Sequence, residues 1–251
     1  MIDQLRALQD SAARLRRIAE PLGADELRAQ AYPTEWTVAD VLSHLGSGAV
    51  IARVRLDAAV ADRAVPDDFA QSIWDEWNAK TPEAKAADGL AADRALLDRV
   101  ESFTDEERAR SRFSMGPMEF DLPGYLLLRL NEHALHTWDI EVSRDPSATL
   151  TPDAARLVVD NLGMIVRFAG KPTGVARDLH IRTTEPDRDF TLSLGEDAIV
   201  LTPCDDDHAP DLELPAEAFI RLVYGRLDPD HTPKVRGSAD LDELRRAFPG
   251  V

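Results

Sequence analysis

Glu132 and His136 stand four residues apart in Asn131-Glu132-His133-Ala134-Leu135-His136-Thr137-Trp138-Asp139, inside an apolar run whose spacing predicts a helix. Residues four apart stack on one helical face, so this carboxylate and imidazole can close on a single divalent metal ion. His133 lies about 100° round the same helix and should miss that ion. A third ligand has to come from elsewhere. His208 and His231 fall in polar loop sequence, and His180 falls on a predicted strand, facing opposite to Leu179 and Ile181. His44 lies on an otherwise apolar helical segment, Asp40-Val41-Leu42-Ser43-His44-Leu45. Helical bundles build metal sites by bringing inward faces of separate helices together. His44, Glu132 and His136 would supply two nitrogens and one oxygen and leave positions open, the pattern of a catalytic rather than a structural site. The blander role for His44 is that of a hydrogen-bonded core residue. Asp139, one turn past His136, either orients that imidazole as an acceptor or solvates the helix end.

The elements that must position these residues are helical at first. Residues 2–20 carry apolar side chains at helical spacing, from Ile2 through Leu5, Leu8, Ala12 and Leu15 to Ile18. Pro21-Leu22-Gly23 makes a turn. Thr37 and Asp40 form a helix start, and the helix from Val38 carries Val41, Leu42, Leu45, Ile51 and Val54. Gly46 and Gly48 either weaken it or admit a close neighbour. A further helix covers Asp68–Asn78, with Asp67 and Asp68 suited to its start. Thr81-Pro82 opens another, reaching Val100. Phe113–Asp121 reads as a loop, and Pro123 starts a helix from Leu122 to Ser143. Thr151-Pro152 restarts a helix, 151–168, that reads as a bridge between domains. From Asp178 the period changes to two, giving strands around Leu179–Thr183, Phe190–Leu194 and Ile199–Leu201. Asp211–Leu214 and Lys234–Arg236 are further strand candidates, with helices over 215–226 and 239–248. The expected organisation is therefore an all-helical front, residues 1–148, followed by a small α+β domain, residues 149–251.

The chain has 251 residues, 46 acidic and 29 basic, for a formal charge of −17. That balance argues against a nucleic acid or an anionic membrane as partner, since both need surplus Lys and Arg. The N-terminal stretch carries acids and lacks the apolar core of a signal peptide. No run approaches the roughly 18 apolar residues of a membrane span, so a cytoplasmic protein is expected, acting as a monomer or weak homodimer. Cys204 is the single cysteine. The acids of Asp205-Asp206-Asp207 disfavour its thiolate, so a reaction that needs a thiol would have to borrow one.

Tyr32-Pro33-x-x-Trp36-Thr37-Val38-x-Asp40-Val41-Leu42-x-His44-Leu45 resembles the first signature of DinB-like helical bundles, and within them of the mycothiol-dependent maleylpyruvate isomerase family. Glu132-x-x-x-His136-Thr137-Trp138-Asp139 is similar to that family's second signature, with Glu at a place where other DinB-like proteins carry His. Residues 211–248, including Gly225-Arg226-Leu227, resemble its C-terminal sterol-carrier-like α+β domain. The resemblance covers nearly the whole chain and implies that the helical front, residues 1–148, is an up-and-down four-helix bundle. It implies that His44, Glu132 and His136 bind a divalent metal, commonly zinc, and that mycothiol is the thiol cofactor in an actinobacterial cytoplasm. A thiol held as thiolate could add to an electron-poor alkene, permit bond rotation and leave, which is cis–trans isomerisation. The same thiolate could instead stay attached to its electrophile, which is S-transfer. The other readings of such a site are a non-enzymatic metal-binding module and a hydrolase using metal-bound water. By resemblance Arg226 reaches a cleft and anchors a carboxylate of the substrate. Its plainer role is to complement a helix C-terminus. Arg53 and Arg55, further along the chain from His44, are other candidates for that anchor, with a solvated face as their plainer role, and Trp36, Trp74, Trp77 and Trp138 read as core or groove lining.

Overall fold

The computed structural model describes residues 3–66, 68–115, 118–205 and 208–250. Ile2, Asp67, Gly116, Pro117, Asp206 and Asp207, which figure in the expectations above, lie outside the described residues. The chain divides into two compact units, Met1–Ala148 and Thr149–Val251. Among the described residues no helix is long and apolar enough to cross a membrane.

The first unit runs α1 (Asp3–Ala19), α2 (Ala24–Leu27), α3 (Val38–Val60), α4 (Phe69–Asn78), α5 (Pro82–Glu101), α6 (Asp105–Arg110), β1 (Arg112–Met115), β2 (Met118–Asp121) and α7 (Leu122–Val142). Helices α1, α3, α5 and α7 pack on one another as a four-helix bundle. Its helix starts follow local chemistry. The Thr37 hydroxyl accepts from Asp40 N–H, and the Asp40 carboxylate accepts from Thr37 N–H. Such reciprocal capping satisfies amides that the helix itself cannot. Thr81 and Asp121 cap α5 and α7 by accepting from the N–H groups of Ala84 and Gly124, each followed by proline in the first turn.

Glycine settles how closely α3 and α5 approach. A Cβ on Gly46 would lie 2.3 Å from the Trp77 ring and 2.7 Å from Gly89 Cα. Gly48 instead makes room for Arg129, whose Nη1 would sit 2.8 Å from a Cβ there. Both glycines thus admit a close neighbour.

The bundle core also holds charge. Asp93 on α5, 5% exposed, accepts from Arg129 Nη2 at 2.9 Å and lies 3.1 Å from His133 Nε2. Arg129 Nη2 also donates to the Leu45 carbonyl of α3 at 2.6 Å. The Ser11 hydroxyl of α1 lies 2.8 Å from His133 Nδ1. Burial alone would raise the Asp93 carboxyl, but the charges and hydrogen bonds of His133 and Arg129 hold it below the usual aspartate range. Asp93 is therefore an anion, and its partners reach all four bundle helices.

The segment expected as a loop is instead a hairpin, β1 paired antiparallel with β2, with Phe113 opposite Phe120. Phe113 is buried and stacks on Tyr125 of α7, centroids 4.5 Å apart. That packing anchors a strand too short to show clear alternation.

In the second unit the helix expected over 151–168 is two, α8 (Pro152–Val159) and α9 (Leu162–Ala169). The break falls where Asn161 turns its amide onto the Leu157 carbonyl, 3.2 Å, and Asp160 accepts a forked pair from Arg188 at 2.6 and 3.0 Å. Both helices pack within this unit, α8 on α10 (Ala216–Val223) and α9 on β5 (Ile199–Pro203). With β3 (Arg177–Thr184), β4 (Arg188–Leu194), β6 (Leu212–Pro215) and β7 (Arg236–Gly237), the sheet order is β5-β4-β3-β6-β7. The β3–β6 pair is parallel and the other pairs antiparallel. Leu179, Ile181, Phe190 and Leu192 face the core, and α10 covers them with Phe219. Helix α10 stops short of the expected Arg226 because Gly225 takes a positive φ of 70°. A final helix, α11 (Leu241–Ala247), closes the unit. A helical front followed by a small α+β unit is what the change of period predicts.

Gly46→Ala would gain up to about 1 kcal/mol in helix propensity but drives a methyl into Trp77 and Gly89. A net destabilisation of about 1–3 kcal/mol is expected, read as a lower Tm. Asp93→Asn leaves Arg129 buried without its counter-charge, and about 3–5 kcal/mol should be lost. The pH dependence has a definite sign. A carboxyl lowered on folding stabilises above its unfolded pKa, near 3.9, and that stability is lost as pH falls through its folded value. Below about pH 4 the wild type should therefore lose stability more steeply than Asp93→Asn in acid-denaturation curves.

Candidate metal centre

His44 sits in the second turn of α3, and Glu132 and His136 sit on successive turns of α7. The Thr37–Asp40 cap fixes where α3 begins, and Lys85 of α5 holds the other Asp40 oxygen at 2.8 Å. The structure brings the three side chains together. His44 Nε2 is 3.1 Å and His136 Nε2 3.7 Å from Glu132 Oε2. One ligand atom from each of the three lies within 4.8 Å of the others. The imidazoles meet edge to face, centroids 4.6 Å apart.

Exposure is uneven. The side chains of His44 and Glu132 are 37% and 47% exposed, that of His136 only 11%. Burial would raise the Glu132 carboxyl, but the His44 hydrogen bond and the charges of His136, His44 and Arg129 outweigh it and lower it to about 2. Glu132 is thus an anion at neutral pH.

Asp139 is fully buried, and its Oδ2 lies 2.8 Å from His136 Nδ1. With the proton on Nδ1 donated to Asp139, His136 Nε2 presents its lone pair toward Glu132 and His44. Of the two roles open to Asp139, the geometry matches orientation of the imidazole, because a buried carboxylate cannot solvate a helix end. His133 points into the core toward Asp93 and away from the trio, as its helical angle predicts. His180 pairs with Asp189 at 2.6 Å in the second unit, and His231 with Asp228 at 2.8 Å.

Trp36 contributes more than groove lining in general. Its ring stacks on His136 at 5.6 Å and 20°, and lies 5.1 Å from the His44 ring. The loop carrying it is tied down by Tyr32 N–H to the Asp139 carbonyl, 3.0 Å, and by Val38 N–H to the Ala29 carbonyl, 2.9 Å. The sequence signal was present, since Trp36 immediately precedes the capping Thr37. Trp77 and Trp138 are core residues, whereas Trp74 is 45% exposed. The Asp93–Arg129 pair lies outside the sequence expectations; its one local signal is that Arg129 is a lone cation in an apolar stretch of α7.

Arg226 lies in the second unit, just past α10. Its guanidinium donates to the Tyr224 carbonyl at the end of that helix, 2.9 Å. Cys204 is a partly buried free thiol in the same unit.

Two imidazoles and a carboxylate converging at these distances suit a divalent ion that accepts nitrogen and oxygen, zinc among them. The second contact of His136 is the kind of support that ligating histidines have. Fold and site together describe a helical bundle with a candidate metal centre between two of its helices, joined to a small α+β unit. The family described as the mycothiol maleylpyruvate isomerase N-terminal domain matches residues 8–141, and the chain belongs to it. The crystal structure of the mycothiol-dependent maleylpyruvate isomerase is similar to this chain, with a TM-score of 0.63 at 13% identity, covering 89% of this chain and 88% of that one. A histidine-to-alanine mutant of that isomerase gives a TM-score of 0.64 at 12% identity, with the same coverage. At such identities the likeness is one of fold. No curated protein matches the sequence.

His44→Ala and His136→Ala should each abolish binding of a divalent metal, measured as metal per chain after purification. Asp139→Asn should keep the site but weaken its affinity by about 10–100-fold. Full metal occupancy in both histidine variants would rule the site out.

Proposed function

We propose that this chain is a metal-dependent enzyme that uses the thiol of mycothiol against an electrophilic small molecule, as in maleylpyruvate cis–trans isomerisation. The observation that carries the reading is the convergence of His44, Glu132 and His136 in a member of this family. His44 Nε2, His136 Nε2 and the Glu132 carboxylate would hold the ion. A divalent ion there supplies the Lewis acidity that favours a thiolate over a thiol at neutral pH.

The chain's own residues do the rest. Asp139 keeps the His136 tautomer and ring angle. Trp36 walls one side of the imidazoles and excludes water from that side. The half-exposed edge formed by His44 and Glu132 is where a thiol and its partner approach. Mycothiol would supply there a nucleophilic sulfur for reversible addition to an electron-poor double bond, a route to isomerisation in which no atom is gained or lost. Arg226 is proposed as the cationic anchor for a carboxylate of the substrate, on the family resemblance of Gly225-Arg226-Leu227. A thiol transfer would use the same residues and differ only in the sulfur staying on the product.

Mycothiol at about 100 times its Kd should raise the unfolding free energy by about 2.7 kcal/mol, read as a thermal shift. Absence of any shift at saturating mycothiol would favour a hydrolase or a non-catalytic module. With maleylpyruvate, mycothiol-dependent turnover should vanish in His44→Ala. In Arg226→Gln the loss should fall mainly on KM, with metal content unchanged.

A further inference from the structure

A second site of different chemistry lies in the same unit. Where the end of α3, the start of α4 and strand β1 meet, a cavity of about 460 Å³ is lined by Arg55, Arg63 and Arg112 together with Val65, Phe69 and Phe113. Among the described residues no carboxylate lines it. That is unusual in a chain with 46 acids and a formal charge of −17. Elsewhere in this unit arginines hold acids: Arg14 with Glu141, Arg28 with Glu83, Arg99 with Asp57 and Arg144 with Glu26.

Two of these cations, Arg55 and Arg112, rest on neutral groups instead. Arg55 lies over the Phe69 ring, 5.6 Å from its centroid, and hydrogen-bonds the buried Tyr125. Arg112 Nη1 donates to the carbonyls of Ala109 and Ser111 at 2.9 and 2.8 Å. No ion pair to a described carboxylate forms at Arg55, Arg63 or Arg112. A guanidinium steadied by a ring and a phenol keeps its charge and its remaining donors, the state in which it recognises carboxylate or phosphate. Three like charges around one cavity repel, and an anion between them would turn that repulsion into attraction. The volume is that of a small-molecule site, and the buried Phe113 gives it an apolar side.

We propose that this cavity is a binding site for a small organic anion, a phosphate monoester or its carboxylate equivalent carrying an apolar group, separate from the His44, Glu132 and His136 centre. Arg55 stands eleven residues beyond His44 on α3, about 16 Å along the axis at 1.5 Å per residue, so one small ligand does not span both.

The test is calorimetric titration of the full chain with phenyl phosphate, with inorganic phosphate for comparison. One phenyl phosphate per chain is expected to bind, about tenfold tighter than inorganic phosphate because only the former buries an apolar body. Binding should weaken with added salt. Arg63 and Arg112 are exposed, so Arg63→Gln and Arg112→Gln should fold, and each should weaken phenyl phosphate about tenfold through loss of a charged hydrogen bond. His44→Ala should bind it as well as wild type. Absence of saturable binding, affinity unchanged in both arginine variants, or loss of binding in His44→Ala would each overturn the proposal. Inorganic phosphate binding as tightly as phenyl phosphate would overturn the organic character of the ligand.

Discussion

The bundle is organised round one buried anion. Asp93 takes a hydrogen bond from Arg129 and faces His133, and through these two side chains touches α3 at the Leu45 carbonyl and α1 at Ser11. Apolar packing alone lets helices slide or rotate at small cost, whereas a desolvated charge tolerates few arrangements. The consequence reaches the surface. Arg129 and His133 form one stripe of α7, and Glu132 and His136 form the next. Pinning the first stripe inward leaves the second facing α3. The same Arg129 grips the carbonyl of Leu45, next in the chain to His44, so the height of α3 against α7 is fixed where the three candidate ligands meet.

Much of this was legible in the residues, and the parts that were not have physical reasons. Helix starts at Thr37, Thr81 and Pro123 were readable because capping is a local matter of hydroxyls, carboxylates and proline geometry. The change of period at Asp178 announced the sheet. The triad of His44, Glu132 and His136 could be assembled because two members share a helix face and the third lies on an apolar helix. The Phe113–Asp121 hairpin escaped notice because its short strands take their stability from a stack on Tyr125, which is a tertiary contact. The break between α8 and α9 was hidden because Asp160 and Arg188, its stabilising pair, are far apart in the chain. Asp93 likewise looks like a solvated helix residue until the bundle is assembled.

The centre is asymmetric by construction. His136 is enclosed by Trp36 on one side and Asp139 on the other, while His44 and Glu132 keep a large share of their surface open. Enclosure fixes an angle, and openness gives access. Both come from the loop before α3, whose backbone is tied to Asp139 at one point and to Ala29 at another. That loop is therefore part of the site, although it contributes no ligand.

The candidate ligand set has a topological meaning as well. His44 and Glu132 are separated by 88 positions, so any bond that joins them closes a ring over much of the first unit. Closing so long a ring in a disordered chain is entropically unfavourable, and the penalty grows with the logarithm of its length. An ion that binds only the assembled site therefore behaves as a removable cross-link. It shifts the folding equilibrium by an amount set by its own free concentration. For a chain built this way, the folded population would rise and fall with the supply of any ion that the three candidate ligands hold.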